Sequence, residues 1–218
     1  MFSSAPGNPR IAEVRRLRGR RELTLDDGRV FSFSDEACER SHVRQGVEAT
    51  PELLQQLDAD DRRSSLHETA LHLLSYRPRS EDELRRRLAM RCDDAAAIEA
   101  ELERLRGAGL VDDDRFATLW VEERQRHAPR SARLLRHELR TKGINTESVE
   151  AATNDVDDSE AALAFALARA RKAGAGDFEK FAARTGSALQ RRGFSYSTAA
   201  SAVSAAWNAT WEGSDQGR

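Results

Sequence analysis

A pair of histidines and a run of three aspartates are the residues whose types and spacing come nearest to chemistry. His67-Glu68-Thr69-Ala70-Leu71-His72 approaches the helical zinc-protease pattern. That pattern needs two histidines four residues apart on one helical face, with the glutamate as base. Here they are five apart, about 140° around a helix, so both read as helix surface or interhelix packing. His42, His127 and His137 have no Cys or His companion at metal spacing. Asp112-Asp113-Asp114 lacks the alternating oxygen ligands and central glycine of a calcium loop. It reads instead as an N-cap and first-turn acids of a helix carrying Phe116, Leu119, Trp120 and Val121. No phosphate-cradling glycine loop and no nucleophile elbow is present. No convergent acid–base or metal set remains, so neither an enzyme nor a cofactor is expected.

Charge is more informative than catalytic motifs. The net charge is −2, which does not announce a nucleic-acid binder, but its distribution is uneven. Arg124 to Lys142 holds seven basic residues against Glu138 alone. Asn145 to Glu160 holds six acids and no base, and Arg169 to Arg192 returns to seven bases against Asp177 and Glu179. On a helix, Arg133, Arg136 and Arg140 fall together on a face away from Leu135 and Leu139. Arg86 points opposite Leu84 and Leu88, flanked by Arg85 and Arg87. With Lys142, Arg191 and Arg192 these residues form candidate basic ridges for an acidic partner or a phosphate backbone. The other reading is a solvated face with local ion pairs, each worth little.

The elements that must carry these ridges are helices. Leu23 and Leu25, then Phe31 and Phe33, alternate around the turn chemistry of Asp26-Asp27-Gly28, which predicts a β-hairpin leaning on a helix. Ser34 and Thr50-Pro51 are helix starts. From about residue 61 the chain reads as helix and repeats itself. Pro78-Arg79-Ser80 recurs as Pro129-Arg130-Ser131, fifty-one residues on. Leu84 and Leu88 recur as Leu135 and Leu139, and Lys142-Gly143-Ile144 as Arg192-Gly193-Phe194. Each of those glycines suits a helix C′ position in left-handed geometry. A period near fifty residues marks an array of supersecondary units. The predicted organisation is a disordered 1–9, a hairpin-plus-helix region over 10–60, and three-helix repeats over 61–109, 110–156 and 157–212. A frayed 213–218 closes the chain. Gly174, Gly176 and Gly186 interrupt the third repeat, so 174–188 is the least patterned stretch. The three tryptophans, Trp120, Trp207 and Trp211, are expected in cores. Cys38 and Cys92 sit at no disulfide-framework, redox or metal spacing. With no signal peptide or membrane span in the sequence, a soluble cytoplasmic monomer is expected.

Three segments then suggest a family. Tyr76 to Leu84 (YRPRSEDEL), Gly109 to Ala117 (GLVDDDRFA) and Glu138 to Ile144 (ELRTKGI) resemble successive signatures of the bacterial RecX regulators. Arg191-Arg192-Gly193-Phe194-Ser195 is similar to that family's third-repeat signature. The likeness covers roughly 60–210. It implies a mainly α fold of tandem three-helix repeats in an elongated, curved array behind the hairpin region. It also implies binding in the helical groove of the filament that the RecA recombinase forms on DNA, inhibiting ATPase and strand exchange in recombination, repair and the SOS response. Some members also bind DNA, so single- or double-stranded DNA is a second candidate partner. Where the second repeat of the family often carries Gly-Pro, this chain has Ser131-Ala132, which alters the entry to the helix but not its basic face. A direct DNA-binding, helix-turn-helix-like module is the alternative reading, because an Arg-rich capped helix after a short turn is also a groove reader.

Overall fold

The computed structural model describes residues 8–173 and 177–211. The disorder expected for the first residues falls outside these except at Asn8 and Pro9. The fraying expected at 213–218 and the breaks at Gly174 and Gly176 lie outside them too. Among the described residues there are three strands and ten helices, and contacts divide the chain into two compact units. The first holds residues 1–77 and 84–110, the second 78–83 and 111–218.

In the first unit, β1 (Ile11–Leu17), β2 (Arg20–Leu25) and β3 (Val30–Ser34) form an antiparallel meander in that order. The hairpin expected around Gly28 is β2–β3, with Leu23 paired to Phe31 and Gly28 at φ +86°. The third strand, β1, adds a second hairpin to the one predicted. Its outward positions are mostly charged, and only Ile11 is buried, so its alternation is faint. Ile11, Leu23, Leu25 and Phe33 bury against Ala37 and Cys38 of α1 (Asp35–Arg40) and Leu57 of α2 (Pro51–Tyr76).

The division expected between 60 and 61 falls inside α2, which runs unbroken through it. Two adjacent acids tie that helix to the sheet region. Asp61 accepts from the Ser34 amide and from Arg20, and Asp60 accepts from Arg40 at 3.1 Å. The remaining helices of this unit are α3 (Glu81–Ala89), whose first turn belongs to the second unit, and α4 (Ala95–Gly107), capped by Asp94.

The second unit continues with α5 (Asp113–His127), α6 (Ala132–Thr141) and α7 (Thr146–Thr153). Then follow α8 (Asp158–Ala173), α9 (Phe178–Arg191) and α10 (Tyr196–Thr210). Caps fix most of the starts. Asp112, Ser131, Asn145, Asp177 and Ser195 each accept a backbone amide of the first helical turn, satisfying donors that have no helical partner. Leu84, Leu88, Leu135 and Leu139 are all fully buried, and Leu189 repeats them in α9. One core gathers Phe116, Val121, Leu135, Leu139, Ile144 and Val149. Another gathers small alanines of α8 and α10 around Phe181, Leu189 and Phe194. Helices α6 and α9 both end on a glycine at positive φ, Gly143 and Gly193. The next amide then turns back: Ile144 N donates to Leu139 O and Phe194 N to Leu189 O, the expected αL termination.

Candidate protein-binding surface and the joints that hold it

The ridge of α6 starts from its core stripe. Leu135 and Leu139 face inward four residues apart, so Arg133, Arg136 and Arg140 are turned elsewhere. Arg136 and Arg140 both reach Glu150 of α7, at 2.9 and 3.1 Å. Arg133 is exposed and donates to Gly193 O at 3.2 Å. Two of the three guanidiniums thus share one carboxylate, and the third holds a backbone carbonyl. The surplus positive charge is smaller than the sequence suggests but remains. On α3, Arg86 and Arg87 are exposed, while Arg85 forks onto Glu99 at 2.6 and 3.1 Å. That guanidinium holds the Glu99 carboxyl below its ordinary range. Arg191 is exposed at the end of α9.

Lys142 and Arg192 belong elsewhere than on an open ridge, for a structural reason. The Lys142 side chain is only 18% exposed. Its ammonium meets Glu83 and lies 4.4 Å from the centroid of Trp120. Arg192 is half-buried with its guanidinium 4.3 Å over Phe165. Both residues close a joint that occurs twice within the second unit.

At the first joint the fully buried Ser80 donates its hydroxyl to Lys142 O at 2.7 Å and accepts the Glu83 amide. The Glu81 amide donates to Asp113 Oδ1 at 2.9 Å. A Cβ on Gly143 would collide with Asp82, whose Cγ lies 2.7 Å from that point. At the second joint the buried Ser131 donates its amide to Arg192 O at 3.0 Å, and the Ala132 amide donates to Asp158 Oδ1 at 2.7 Å. A Cβ on Gly193 would strike Ser131 and Leu134. The Pro-Arg-Ser and basic-Gly motifs that recur separately in the sequence are therefore two halves of one contact.

The three consecutive aspartates each take an amide or a hydroxyl. Asp112 caps α5, Asp113 receives Glu81, and Asp114 accepts from the Ser148 hydroxyl. Burial pushes the Asp113 carboxyl above its ordinary value, against the opposing pull of the Glu81 amide. His67 Nδ1 sits 2.6 Å from the buried Glu101 of α4, and His72 stacks edge-on with Tyr76. Among the described residues no three His, Cys, Asp or Glu side chains cluster as metal ligands would. No helix there is long and apolar enough to cross a membrane. Trp120 lies where expected, stacked on Phe116 beside its core, with Nε1 donating to Glu138. Trp207 and Trp211 likewise pack half-buried against the core of α8 and α10, and they also border a groove shared with Arg169, Lys172 and Arg184. The basic run Arg169 to Arg192 was the one sequence signal pointing there.

Two family patterns match the chain: the first three-helix domain of RecX over residues 67–105 and the second over 112–152. Regulatory protein RecX of Corynebacterium efficiens is 34% identical over 145 residues, spanning 63% of this chain and 69% of that protein. The Mycobacterium avium protein of the same name is 36% identical over 61% of this chain and 79% of its own length. The Mycobacteroides abscessus one is 37% identical, and the chain covers 56% of it. A crystal structure of a regulatory protein RecX superposes with a TM-score of 0.65 at 22% identity, over 87% of this chain and 96% of that one. RecX from Lactobacillus salivarius gives 0.56 at 21% identity, over 67% and 97%. At such identities these two speak for the fold alone. Recurrent three-helix units, both domain patterns and relatives matched over most of their length agree: the chain belongs to the RecX family.

Proposed function

We propose that this protein is a regulator that binds RecA, or the filament RecA forms on DNA, and lowers its ATPase and strand-exchange activities, with no chemistry of its own. The observation that carries the reading is the α6 ridge, where Arg136 and Arg140 share the carboxylate of Glu150 and the exposed Arg133 meets a backbone carbonyl, so the ridge holds more cations than acids. Exposed arginines of this kind add little to folding. Facing an acidic or phosphate-lined groove they raise both association rate and affinity. The relatives' shared name, regulatory protein RecX, supports the regulatory role. The exposed Arg86, Arg87 and Arg191 extend the same chemistry to α3 and α9. Direct binding to DNA is the second reading, favoured by the exposed Arg133 in the first turn of a helix capped by Ser131.

The test titrates the protein into RecA on single-stranded DNA and follows ATP hydrolysis and strand exchange. The triple variant Arg133→Gln, Arg136→Gln, Arg140→Gln is preferred to charge reversal, which would crowd new carboxylates around Glu150. It should melt with the parent and need about tenfold more protein for half-inhibition, a loss of about 1.4 kcal/mol. Glu122→Lys with Glu147→Lys, both exposed, controls for bulk charge. The acids of α4 cannot serve, because Glu101 is buried on His67, Glu99 holds Arg85 and Glu103 holds Arg106. An unchanged inhibition curve from the folded arginine variant would place the contact elsewhere. If instead binding to DNA without RecA is strong and falls steeply with salt, the DNA reading replaces this one.

A further inference from the structure

Within the second unit, the C-terminal end of α5, the C-terminal half of α8, the first half of α9 and the end of α10 line a groove of about 770 Å³. Its rim is basic. Arg126, Arg169, Lys172, Lys180 and Arg184 line it, and Asp177 is the acid among the lining residues. Lys180 leans on that Asp177 at 3.5 Å, with both side chains largely exposed. Among the described residues Arg126, Lys172 and Arg184 have no ion-pair partner. In a chain of net charge −2 this is a local, focused positive field, of the kind that draws in acidic ligands.

The floor is aromatic, and the arrangement of its rings decides what it can take. Trp207 and Trp211 pack on each other at 4.2 Å between centroids. Phe181 lies 5.5 Å from Trp211 with the rings at 77° and 5.6 Å from Trp207 with the rings at 43°. Phe165 is covered by the guanidiniums of Arg169 and Arg192. Phe181, Trp207 and Trp211 are thus tilted at 43–77° to one another, and the face of Phe165 is taken by arginines. Successive bases of a single strand need ring faces that lie flat along its path, which rings set at these angles do not offer. An aliphatic or aromatic side chain needs only apolar edges and a concavity.

We propose that this groove docks an acidic peptide segment bearing an apolar anchor residue. Carboxylates of the segment would meet Arg126, Lys172 and Arg184, and the anchor would seat against Trp207 and Trp211. Charged forks of Arg on carboxylate give orientation, and the buried anchor gives affinity. The inference stands apart from the α6 ridge and requires no RecA.

The probe is a fluorescein-labelled peptide of aspartate and glutamate with one central phenylalanine, followed by anisotropy and by quenching of tryptophan fluorescence. Saturable binding at low salt is expected, weakening by about tenfold in the double variant Lys172→Glu, Arg184→Glu. Both sites are exposed, and the circular dichroism spectrum should not change. Replacing the peptide's phenylalanine by serine leaves the protein untouched and should weaken binding severalfold. Absence of saturable binding overturns the proposal, as does binding indifferent to both the double variant and the serine peptide. A labelled oligothymidine that binds more tightly than the peptide, and is lost in the same variant, would overturn it by assigning the groove to a nucleic-acid strand. None of these readouts involves RecA, so failure here and failure of the regulatory reading are separately visible.

Discussion

At Ser80 the joint is closed by Lys142, whose ammonium lies between Glu83 and the face of Trp120. At Ser131 the corresponding place is taken by Arg192, lying over Phe165, and among the described residues no carboxylate meets it. Around these side chains the backbone construction is alike. A buried serine caps a helix, an aspartate from the start of another helix accepts the first helical amide, and a glycine at positive φ lets the chain pass without a Cβ. What recurs is the geometry that two helix ends need in order to touch with their orphan amides and carbonyls satisfied. How the adjacent cation is accommodated is settled locally: once by an acid and a ring, once by a ring and burial.

The glycines test the shared half. Gly143→Ala and Gly193→Ala each force an L-residue into left-handed geometry and push a methyl into neighbouring side chains. Strain and overpacking together should cost about 2–5 kcal/mol, read as a fall in the urea midpoint. Gly28→Ala is the comparison. It has φ +86° and nothing within 4 Å of the added carbon, so only the strain, about 1–2 kcal/mol, is expected. Equal losses at all three positions would mean that the joints are not tightly closed.

Much of the fold was legible because caps, leucine stripes and αL glycines are local signals. Ser131, Leu135, Leu139 and Gly143 announce α6 and its end within thirteen residues of sequence. The joints were not legible as joints. Ser80 and Lys142 lie sixty-two residues apart, and nothing in either motif says that it binds the other. Lys142 and Arg192 therefore read as ridge residues, since sequence shows that a cation is present but not that a Glu83 or a Phe165 covers it. The boundary set at residue 60 falls inside α2 because the repeat motifs begin only at Pro78, while the helix that starts at Pro51 runs on to Tyr76 and is tied to the sheet region by Asp60 and Asp61. The groove stayed hidden because its rim is gathered from α5, α8 and α9.

Lys142→Met probes the first way of closing the joint. The apolar stem is kept and the charge removed, so Glu83 loses a cation at a site where its own side chain is only 16% exposed, and Trp120 loses its ammonium. Removing one partner of a mostly buried pair should cost about 1–3 kcal/mol. A variant as stable as the parent would show that the backbone half of the joint suffices.

Arg192→Met is the smallest expected effect and the sharpest contrast. The Arg192 Nε atom is buried without a hydrogen-bond partner among the described residues. Burial, reinforced by the cations of Arg169 and Arg191, pulls the guanidinium below its ordinary value. A cation whose folded pKa is depressed is held in its charged form at a cost to the fold, so losing that charge should not destabilise. Methionine fills similar space and packs on an aromatic ring through its sulfur. It also leaves the Arg192 backbone carbonyl in place to accept the Ser131 amide. The midpoint should therefore stay within about 0.5 kcal/mol of the parent, or rise slightly, where Lys142→Met falls. The proposed inhibition of RecA separates the two roles of the residue. A variant that melts with the parent and inhibits normally confirms Arg192 as part of the joint. One that melts normally but has lost inhibition restores it to the binding ridge, and then the asymmetry between the joints would reflect selection for a contact rather than local packing.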